Sequence, residues 1–106
     1  MYYTYILRCG DGTLYTGITT DPARRLSEHE GSPKGAKYTA SHAPVCFEAI
    51  WQSGDRATAS RLEYRIKTLT RSEKLSLIEK KSSLKEHFSE KLDCNAYTRI
   101  DPHEFT

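Results

Sequence analysis

A Gly-Asp-Gly triplet at residues 10–12 interrupts two segments that have the composition of β-strands. Residues 2–8 are rich in tyrosine, threonine and aliphatic side chains, and residues 13–18 resume that pattern directly after the triplet. Aromatic and β-branched residues favour strands, whereas glycine and aspartate favour tight turns. This pattern predicts an N-terminal β-hairpin, so the fold is expected to contain a sheet.

The length of the hairpin loop decides whether Tyr5 and Tyr15 can act together. A three-residue loop, with Gly12 in the left-handed conformation, places Tyr5 opposite Gly17 and turns both tyrosines to one face. They are then diagonal neighbours, roughly 7–8 Å apart. A two-residue turn at Asp11-Gly12 sends them to opposite faces instead. In the first register, the glycine at position 17 leaves Tyr5 open to an approaching phosphate. Tyrosines that only cover a pleated surface are the alternative interpretation.

The rest of the chain predicts one further strand and four helices. Each helix is indicated by a capping residue followed by apolar residues at helical spacing, and the caps are Asp21, Asp55, Thr70 and Ser83. Residues 44–51 form a mostly apolar run that predicts a buried third strand. Residues 93–106 show no period and are predicted to be irregular. The fold class is therefore α+β, with a small three-stranded sheet flanked by helices.

The length of the chain limits the number of domains, and the distribution of charge indicates which segment suits an anionic partner. With 106 residues it has room for a single modest core. The net charge is only +2, but residues 56–81 carry 8 basic and 3 acidic residues, whereas residues 82–106 carry 3 and 5. The basic segment suits an anionic partner such as nucleic acid, although solvated helix faces explain the same charges. We expect residues 1–81 to form the main domain. Residues 82–106 are expected to be an extension that packs on it through an apolar stripe and tempers nucleic-acid binding with its acidic residues.

The spacing of the cysteines and the hydropathy of the chain indicate its cellular compartment. Cys9, Cys46 and Cys94 are widely spaced and form no C-x-x-C pair, which argues against a disulfide framework or a zinc site. No segment is apolar for long enough to span a bilayer, and the N-terminus lacks the pattern of a signal peptide. The sequence therefore predicts a soluble, cytoplasmic protein.

Arg25 and His29 lie four residues apart and share one face of the first predicted helix. A guanidinium group is permanently charged and binds phosphate in a planar fork, so Arg25 suits a transition state that accumulates negative charge. A histidine beside it can relay a proton near neutral pH. Arg24 is one residue further round the helix and is expected to face solvent or a nucleic-acid backbone. A solvated helix stripe is the alternative interpretation.

Glu63 lies at the edge of the apolar stripe of the second predicted helix, three residues before Ile66. A half-sheltered carboxylate in such a position favours a specific partner. One candidate is Lys67, four residues on, in a surface ion pair that contributes only about 0.3–0.5 kcal/mol. The other is a divalent metal, because Mg²⁺ is usually held by one or two carboxylates, with waters and substrate phosphates completing its shell.

Five short motifs follow one another along the chain. They are Tyr-Ile-Leu-Arg-Cys (5–9), Leu-Tyr-Thr-Gly (14–17), Ala-Arg-Arg-Leu-Ser-Glu-His (23–29), Gly-Ala-Lys-Tyr-Thr (35–39) and Leu-Glu-Tyr-Arg-Ile-Lys (62–67). In this order they resemble the motifs of the GIY-YIG nuclease superfamily. The resemblance is closest to its small stand-alone bacterial members and to the nuclease subunit of the eukaryotic Slx complexes. The resemblance covers about residues 2–80 and implies an antiparallel three-stranded sheet, helices around it and endonuclease activity.

The same resemblance implies a role for individual residues. Tyr5 and Tyr15 match the two motif tyrosines, Arg25 matches the catalytic arginine, His29 matches the helix histidine, and Glu63 matches the metal ligand.

The chain also departs from the family pattern. Tyr3 stands where the family name has glycine, and Thr16 replaces its isoleucine, as happens in the stand-alone subfamily. Ile18 stands where the excinuclease members of the superfamily have a lysine, so that auxiliary cation is absent. Asn95, in the C-terminal extension, is not assigned the role of the asparagine that several family nucleases use.

The sequence therefore predicts a metal-dependent endonuclease that hydrolyses phosphodiester bonds in DNA. Branched, flapped or damaged structures are the expected substrates, in repair or recombination. Tyr5 or Tyr15, with a pKa lowered from about 10 by its neighbours, deprotonates the attacking water. Arg25 stabilises the phosphorane, His29 assists, and Mg²⁺ (or Mn²⁺) on Glu63 stabilises the leaving oxygen.

Other basic residues are expected to position the DNA through its phosphates without reading its sequence. They are Arg24, Lys34, Lys37, Arg61, Arg65 and Arg71. The alternative function is a catalytically weak or inactive domain that binds nucleic acid or acts as an adaptor. A protein partner or a homodimer is compatible with either function, and a membrane is not expected as a partner.

Overall fold

The computed structural model describes residues 1–31 and 46–105, except for the side chains of residues 29–31 and 105. Within those residues, four strands form one antiparallel sheet in the order β2-β1-β3-β4. The strands are β1 at Tyr2–Arg8, β2 at Leu14–Thr19, β3 at Cys46–Ser53 and β4 at Thr98–Ile100. The predicted α+β class is confirmed.

The hairpin between β1 and β2 has the three-residue loop. The amide of Cys9 donates to the carbonyl of Thr13 at 2.9 Å, and Gly12 has a φ of 88°. Glycine enters this left-handed region without the steric penalty that a Cβ atom brings. Tyr5 consequently pairs with Gly17. The predicted register is confirmed, and the two-residue turn is excluded.

Strand β4 corrects the predicted three-stranded sheet. It pairs with β3, with Ile50 opposite Ile100, so residues 93–106 are not irregular throughout. They also contain two short 3₁₀ helices, Cys94–Ala96 and Pro102–Phe105. A three-residue strand is too short to show alternation in the sequence. It forms because the edge of β3 offers backbone donors and acceptors that need partners.

Strand β3 contains a bulge. Glu48 is an extra residue without a Cα partner on β1. Because of the bulge, Phe47 and Ile50 both join the apolar cluster around Tyr5. In a regular strand, two residues three apart point to opposite faces. The carboxylate of Glu48 lies 3.3 Å from Arg8, which pairs its charge at this irregular point.

Two apolar clusters lie on opposite faces of the sheet, since Ile6 belongs to one and its neighbours on β1 belong to the other. The tyrosine cluster consists of Tyr5, Leu7, Cys9, Leu26, Phe47 and Ile50. The helix cluster consists of Ile6, Ala49, Trp51, Leu62, Ile66, Leu77, Leu84, Phe88 and Leu92.

Four α-helices flank the sheet in the described part of the chain. They are α1 at Pro22–Gly31, α2 at Arg56–Lys67, α3 at Arg71–Ile78 and α4 at Leu84–Phe88. Side-chain caps explain where they begin. Asp55 accepts from the amide of Thr58 at 2.7 Å, and Thr70 and Glu73 cap each other reciprocally. These two predicted caps, and Ser83 before α4, are confirmed.

Residues 82–106 supply part of the helix cluster. Leu84, Phe88 and Leu92 are buried in it, although α4 ends at Phe88, earlier than their spacing predicts. Arg99 on β4 donates to two carbonyl oxygens at the end of α3, at 3.2 and 3.1 Å. The C-terminal segment thus contacts the remainder of the fold through both apolar and polar groups.

Candidate active site

Tyr5 lies in the tyrosine cluster, and its side chain is 0% exposed. Its ring contacts the ring of Phe47 edge-on, with 5.4 Å between centroids, and lies 6.3 Å from the ring of Tyr15. The two motif tyrosines therefore share one face of the hairpin, as the three-residue loop predicted. Tyr15 is only partly buried, so it is the member of the pair that solvent reaches.

The lack of a side chain at Gly17 makes room for the ring of Tyr5. A Cβ atom at position 17 would lie 2.6 Å from the hydroxyl oxygen of Tyr5 and 3.3 Å from Cε1 of Tyr15. The first distance is far inside van der Waals contact. We expected this glycine to leave a path for a phosphate, and that expectation is wrong, because the phenol ring of Tyr5 occupies the space.

Helix α1 brings Arg25 against Tyr5. The helix begins after Asp21, whose carboxylate accepts from the amide of Arg24 at 3.1 Å, and it buries Leu26 in the tyrosine cluster. In this orientation, Nε of Arg25 donates to the hydroxyl oxygen of Tyr5 at 3.0 Å. This hydrogen bond raises the pKa of Arg25 above its usual range, against the opposing effect of burial. A permanently charged guanidinium group is thereby fixed at the tyrosine pair.

Burial raises the pKa of Tyr5 above its ordinary value of 10.0, and the hydrogen bond and charge of Arg25 offset only part of that effect. A phenolate in this position has lost most of its water, which disfavours the charged form. The expectation of a lowered pKa is therefore wrong for Tyr5. Its hydroxyl group keeps its proton at neutral pH and accepts the hydrogen bond from Arg25.

Glu63 comes from the other side of the sheet, on α2, whose Leu62 and Ile66 lie in the helix cluster. Its side chain is 25% exposed, and its Oε2 lies 3.4 Å from Nζ of Lys67. The predicted ion pair is therefore present. Glu63 is also close enough to Tyr5 for its negative charge to raise the pKa of that tyrosine, although burial is the main cause.

The described residues alone do not complete a metal site at Glu63. Among the described residues, no group of three or more histidine, cysteine, aspartate or glutamate side chains is placed to hold a metal ion. These residues therefore form no closed cage of the kind that structural zinc requires. The half-sheltered carboxylate of Glu63 instead fits a site of the Mg²⁺ type, in which waters and phosphate oxygens supply the other ligands.

Arg25 also lines an open cleft of about 360 Å³. The cleft lies where the end of β2 meets the starts of β1, α1 and α2, and it contains Arg24, Arg56 and two threonines. Glu28 is the acidic residue in its lining, 4.0 Å from Arg24. Three guanidinium groups and two threonine hydroxyl groups around one opening are suited to phosphate oxygens.

Arg56 is not among the site residues predicted from the sequence. It follows the cap of α2 directly, and an arginine at the start of a helix carries no local signal of a binding site. Its only usable signal is that it begins the helix that carries Glu63. The fold joins it to Arg25 because β1 and β3 are adjacent strands, which brings the start of α2 next to α1.

Three of the other basic candidates do not line this cleft. Arg61 and Arg65 lie four residues apart on α2, and Arg71 begins α3 beside the hairpin loop at Gly12. The remaining candidates, Lys34, Lys37 and the side chain of His29, lie outside the described residues.

Comparison with known proteins shows the family to which the chain belongs. The profile of the GIY-YIG catalytic domain matches residues 1–76. A UPF0213 protein of Desulfotalea psychrophila is 49% identical over 77 residues, which cover 73% of this chain and 70% of the relative. The chain is a GIY-YIG domain protein of the UPF0213 family. This GIY-YIG protein is also 44% identical over 77 residues to a UPF0213 protein of Halobacterium salinarum, with 73% and 99% of the two chains covered.

A solved structure supports the fold of this GIY-YIG protein. The solution NMR structure of a UPF0213 protein from Bacillus halodurans matches with a TM-score of 0.50 and 42% identity. The match covers 88% of this chain and 98% of the other. A GIY-YIG catalytic domain is a nuclease domain, so nucleic acid is the implied substrate. Among the described residues, no helix is both long and apolar enough to cross a membrane.

Proposed function

We propose that this GIY-YIG protein is a divalent-metal-dependent endonuclease that hydrolyses phosphodiester bonds in DNA. The observation that carries the proposal is the 3.0 Å hydrogen bond from Arg25 to the buried Tyr5, with Tyr15 alongside. The same arginine opens onto a cleft with two further arginines. A fixed guanidinium group between a phenol pair and a phosphate-sized opening is suited to a transition state that gains negative charge.

The two tyrosines have different roles in this mechanism. Tyr5 is a positioning residue, because it is fully buried, keeps its proton and orients Arg25. Tyr15 is partly exposed, so a water molecule can reach its side chain. We therefore assign to the ionised phenolate form of Tyr15 the removal of a proton from the attacking water, which leaves a hydroxide nucleophile and the neutral phenol.

The arginines hold the phosphates. Arg25 binds the scissile phosphate and stabilises its developing charge. Arg24 and Arg56, in the same cleft, contact neighbouring phosphates of the strand and fix its position. His29 keeps the proton-relay role that its place in the motif predicts.

Glu63 is the residue that would hold the metal, through a carboxylate that is only partly exposed. Its partner Lys67 has a side chain that is 57% exposed and can turn into solvent when the carboxylate binds a cation. A bound Mg²⁺ or Mn²⁺ supplies Lewis-acid stabilisation of phosphate oxygens. Branched, flapped or damaged DNA as substrate, with a role in repair, rests on the resemblance of the motifs.

A nucleic-acid-binding or adaptor domain is the second candidate function. It is favoured by the ion pair between Glu63 and Lys67, because a carboxylate whose charge is already paired with a lysine binds a metal ion less strongly. This function keeps the arginine-lined cleft and does not require a metal.

Cleavage of a panel of DNA structures separates the two functions. The panel contains duplex, flap, splayed-arm and four-way junction substrates, each tested with Mg²⁺, Mn²⁺ or EDTA. The endonuclease function predicts nicking with at least one metal and none in EDTA. Binding to the panel without nicking in either metal would favour the adaptor function.

A further inference from the structure

A recess between α2 and the segment after α4 is not part of the cleft that Arg25 lines. Its volume is about 230 Å³, and its lining consists of Ser60, Arg61, Tyr64, Arg65, Lys91 and Leu92. Tyr64 is 61% exposed, which makes it an exposed large aromatic side chain beside a concave surface. Leu92 at the same recess is buried in the helix cluster.

The groups around the recess are chemically complementary. The Tyr64 ring and Leu92 are apolar, whereas Arg61, Arg65 and Lys91 are cations. The guanidinium group of Arg65 lies over the Tyr64 ring, 5.3 Å from its centroid, which restrains the ring. No acidic residue appears among the described residues that line the recess.

An anionic ligand with a flat apolar part matches such a surface. We propose that the recess binds one unpaired nucleotide of a nucleic-acid strand, with its base against Tyr64 and its phosphate at Arg61 and Lys91. The inference rests on the proposed function in that it takes nucleic acid as the ligand. It adds that the substrate contains a single-stranded segment, because a base within a duplex is stacked and must be flipped out before it can contact a protein ring.

A protein partner is the main competing occupant of an exposed aromatic residue. Three cations around the ring favour an anionic ligand over the apolar side chain that anchors most protein interfaces. Bases stack on aromatic side chains without sequence preference, so the recess is suited to holding a strand and not to reading its sequence.

Binding in EDTA tests the inference without cleavage. A fluorescently labelled 15-nucleotide oligothymidylate and a 15-base-pair duplex are titrated by anisotropy with the full chain and with Tyr64→Ala and Tyr64→Phe. We expect Tyr64→Ala to weaken binding of the oligothymidylate by roughly 5- to 150-fold, the loss of one stacking contact. We expect Tyr64→Phe, which keeps the ring, to stay within about twofold of the wild type, and duplex binding to change by less than about twofold.

Lys91→Ala tests the phosphate contact. Its affinity for the oligothymidylate should fall less steeply with salt, by about one charge in the logarithmic slope. Lys81→Ala is the matched control, since Lys81 is exposed and does not line the recess. It should leave the affinity and the slope as they are in the wild type.

Three results would overturn the inference. They are an unchanged affinity in Tyr64→Ala, an equal loss in Tyr64→Phe, or an equal loss on the single strand and the duplex. If the wild type binds oligothymidylate through Tyr64 but nicks no substrate, the inference stands and the endonuclease function fails. If it nicks DNA while Tyr64→Ala binds like the wild type, the endonuclease function stands and the inference fails.

Discussion

Gly17 and Tyr5 occupy space that only one side chain can fill. We expect Gly17→Ala to destabilise the fold by about 1–3 kcal/mol, because the new methyl group collides with the phenol of Tyr5. Displacement of that phenol also removes the acceptor that orients Arg25, so nicking should fall with stability. Urea unfolding and a nicking assay measure both effects.

Gly54→Ala is the matched control for this substitution. A Cβ atom at position 54 would have no heavy atom within 4 Å. Its free energy of unfolding should therefore stay within about 0.5 kcal/mol of the wild type. Equal stability of the two alanine variants would contradict the close packing of Tyr5 on Gly17.

Because the hydroxyl group of Tyr5 is buried, we expect the free energy of unfolding to fall as the pH becomes alkaline. Burial raises its pKa in the folded state, so above about pH 10 the unfolded chain loses this proton before the folded protein does. The stabilising contribution is complete below pH 10 and is lost as the pH rises through the folded pKa. Tyr5→Phe lacks the titrating group, so its free energy of unfolding should fall less steeply from pH 9 to pH 11 than that of the wild type.

Urea unfolding at several pH values in that interval measures the slope. Tyr64→Phe serves as the control, because it removes a phenol that is exposed. The control should follow the wild-type slope. A Tyr5→Phe variant with that same slope would mean that the Tyr5 hydroxyl group titrates alike in the folded and unfolded states.

Glu63 distinguishes an enzyme from a binding domain. Glu63→Gln keeps the shape of the side chain and removes the charge that would hold the metal. Cleavage should fall to the level of the wild type in EDTA, while DNA binding persists or tightens, because a negative charge near phosphates has gone. Cleavage rates in Mg²⁺ and anisotropy in EDTA measure the two properties.

Lys67→Met is the control for Glu63, since it breaks the same ion pair without touching the carboxylate. It should keep cleavage and change stability by no more than about 0.5 kcal/mol. Wild-type cleavage by Glu63→Gln in the same Mg²⁺ concentration would exclude Glu63 as the essential metal ligand.

Among the elements, β4 is attached to α3 through the side chain of Arg99. Arg99 donates to the carbonyl oxygens of Leu77 and Ile78, and its guanidinium carbon lies 4.9 Å from the centroid of the Trp51 ring. A lysine cannot make both hydrogen bonds and stack in the same plane. Arg99→Lys should therefore lower the free energy of unfolding by about 1.5–3 kcal/mol.

Urea unfolding of Arg99→Lys and of Thr98→Ser checks this expectation. Thr98 lies on the same strand and is exposed, so its substitution should be nearly silent. If Arg99→Lys is also silent, β4 is held by its backbone pairing with β3 alone.

For the whole molecule, we propose that residues 82–106 are required for the main domain to fold. Their three buried side chains complete the helix cluster beneath Trp51 and Leu62. Loss of a buried phenylalanine or leucine side chain costs about 2–5 kcal/mol, and a domain of this size has only about 5–15 kcal/mol in total. A chain that ends at residue 81 should therefore show no cooperative thermal transition by circular dichroism.

Phe88→Ala is a milder version of the same test. It should lower the free energy of unfolding by about 3–5 kcal/mol, whereas Ser89→Ala, at an exposed neighbour, should have little effect. An unchanged melting temperature after removal of residues 82–106 would show that this segment is dispensable.

Short-range interactions account for the hairpin register and the helix starts that could be predicted from the sequence. The loop at residues 10–12 sets the register of the hairpin, because Gly12 accepts a left-handed conformation and the strands then have a single alignment. Asp55, Thr70 and Ser83 mark helix starts because each cap bonds to an amide three residues on. These contacts lie within a few residues of each other, so the local sequence contains all the information that they require.

The tertiary structure decided the features that depend on distant partners. Strand β4 needs the edge of β3, the bulge at Glu48 changes which side chains surround Tyr5, and Arg56 reaches the cleft only because β1 and β3 are paired. The pKa of Tyr5 rises because side chains from α1 and β3 exclude water from it, and no neighbour along the chain predicts that burial. The sequence therefore determined which groups can take part in the chemistry, and the packing of the sheet and helices decided their protonation and their neighbours.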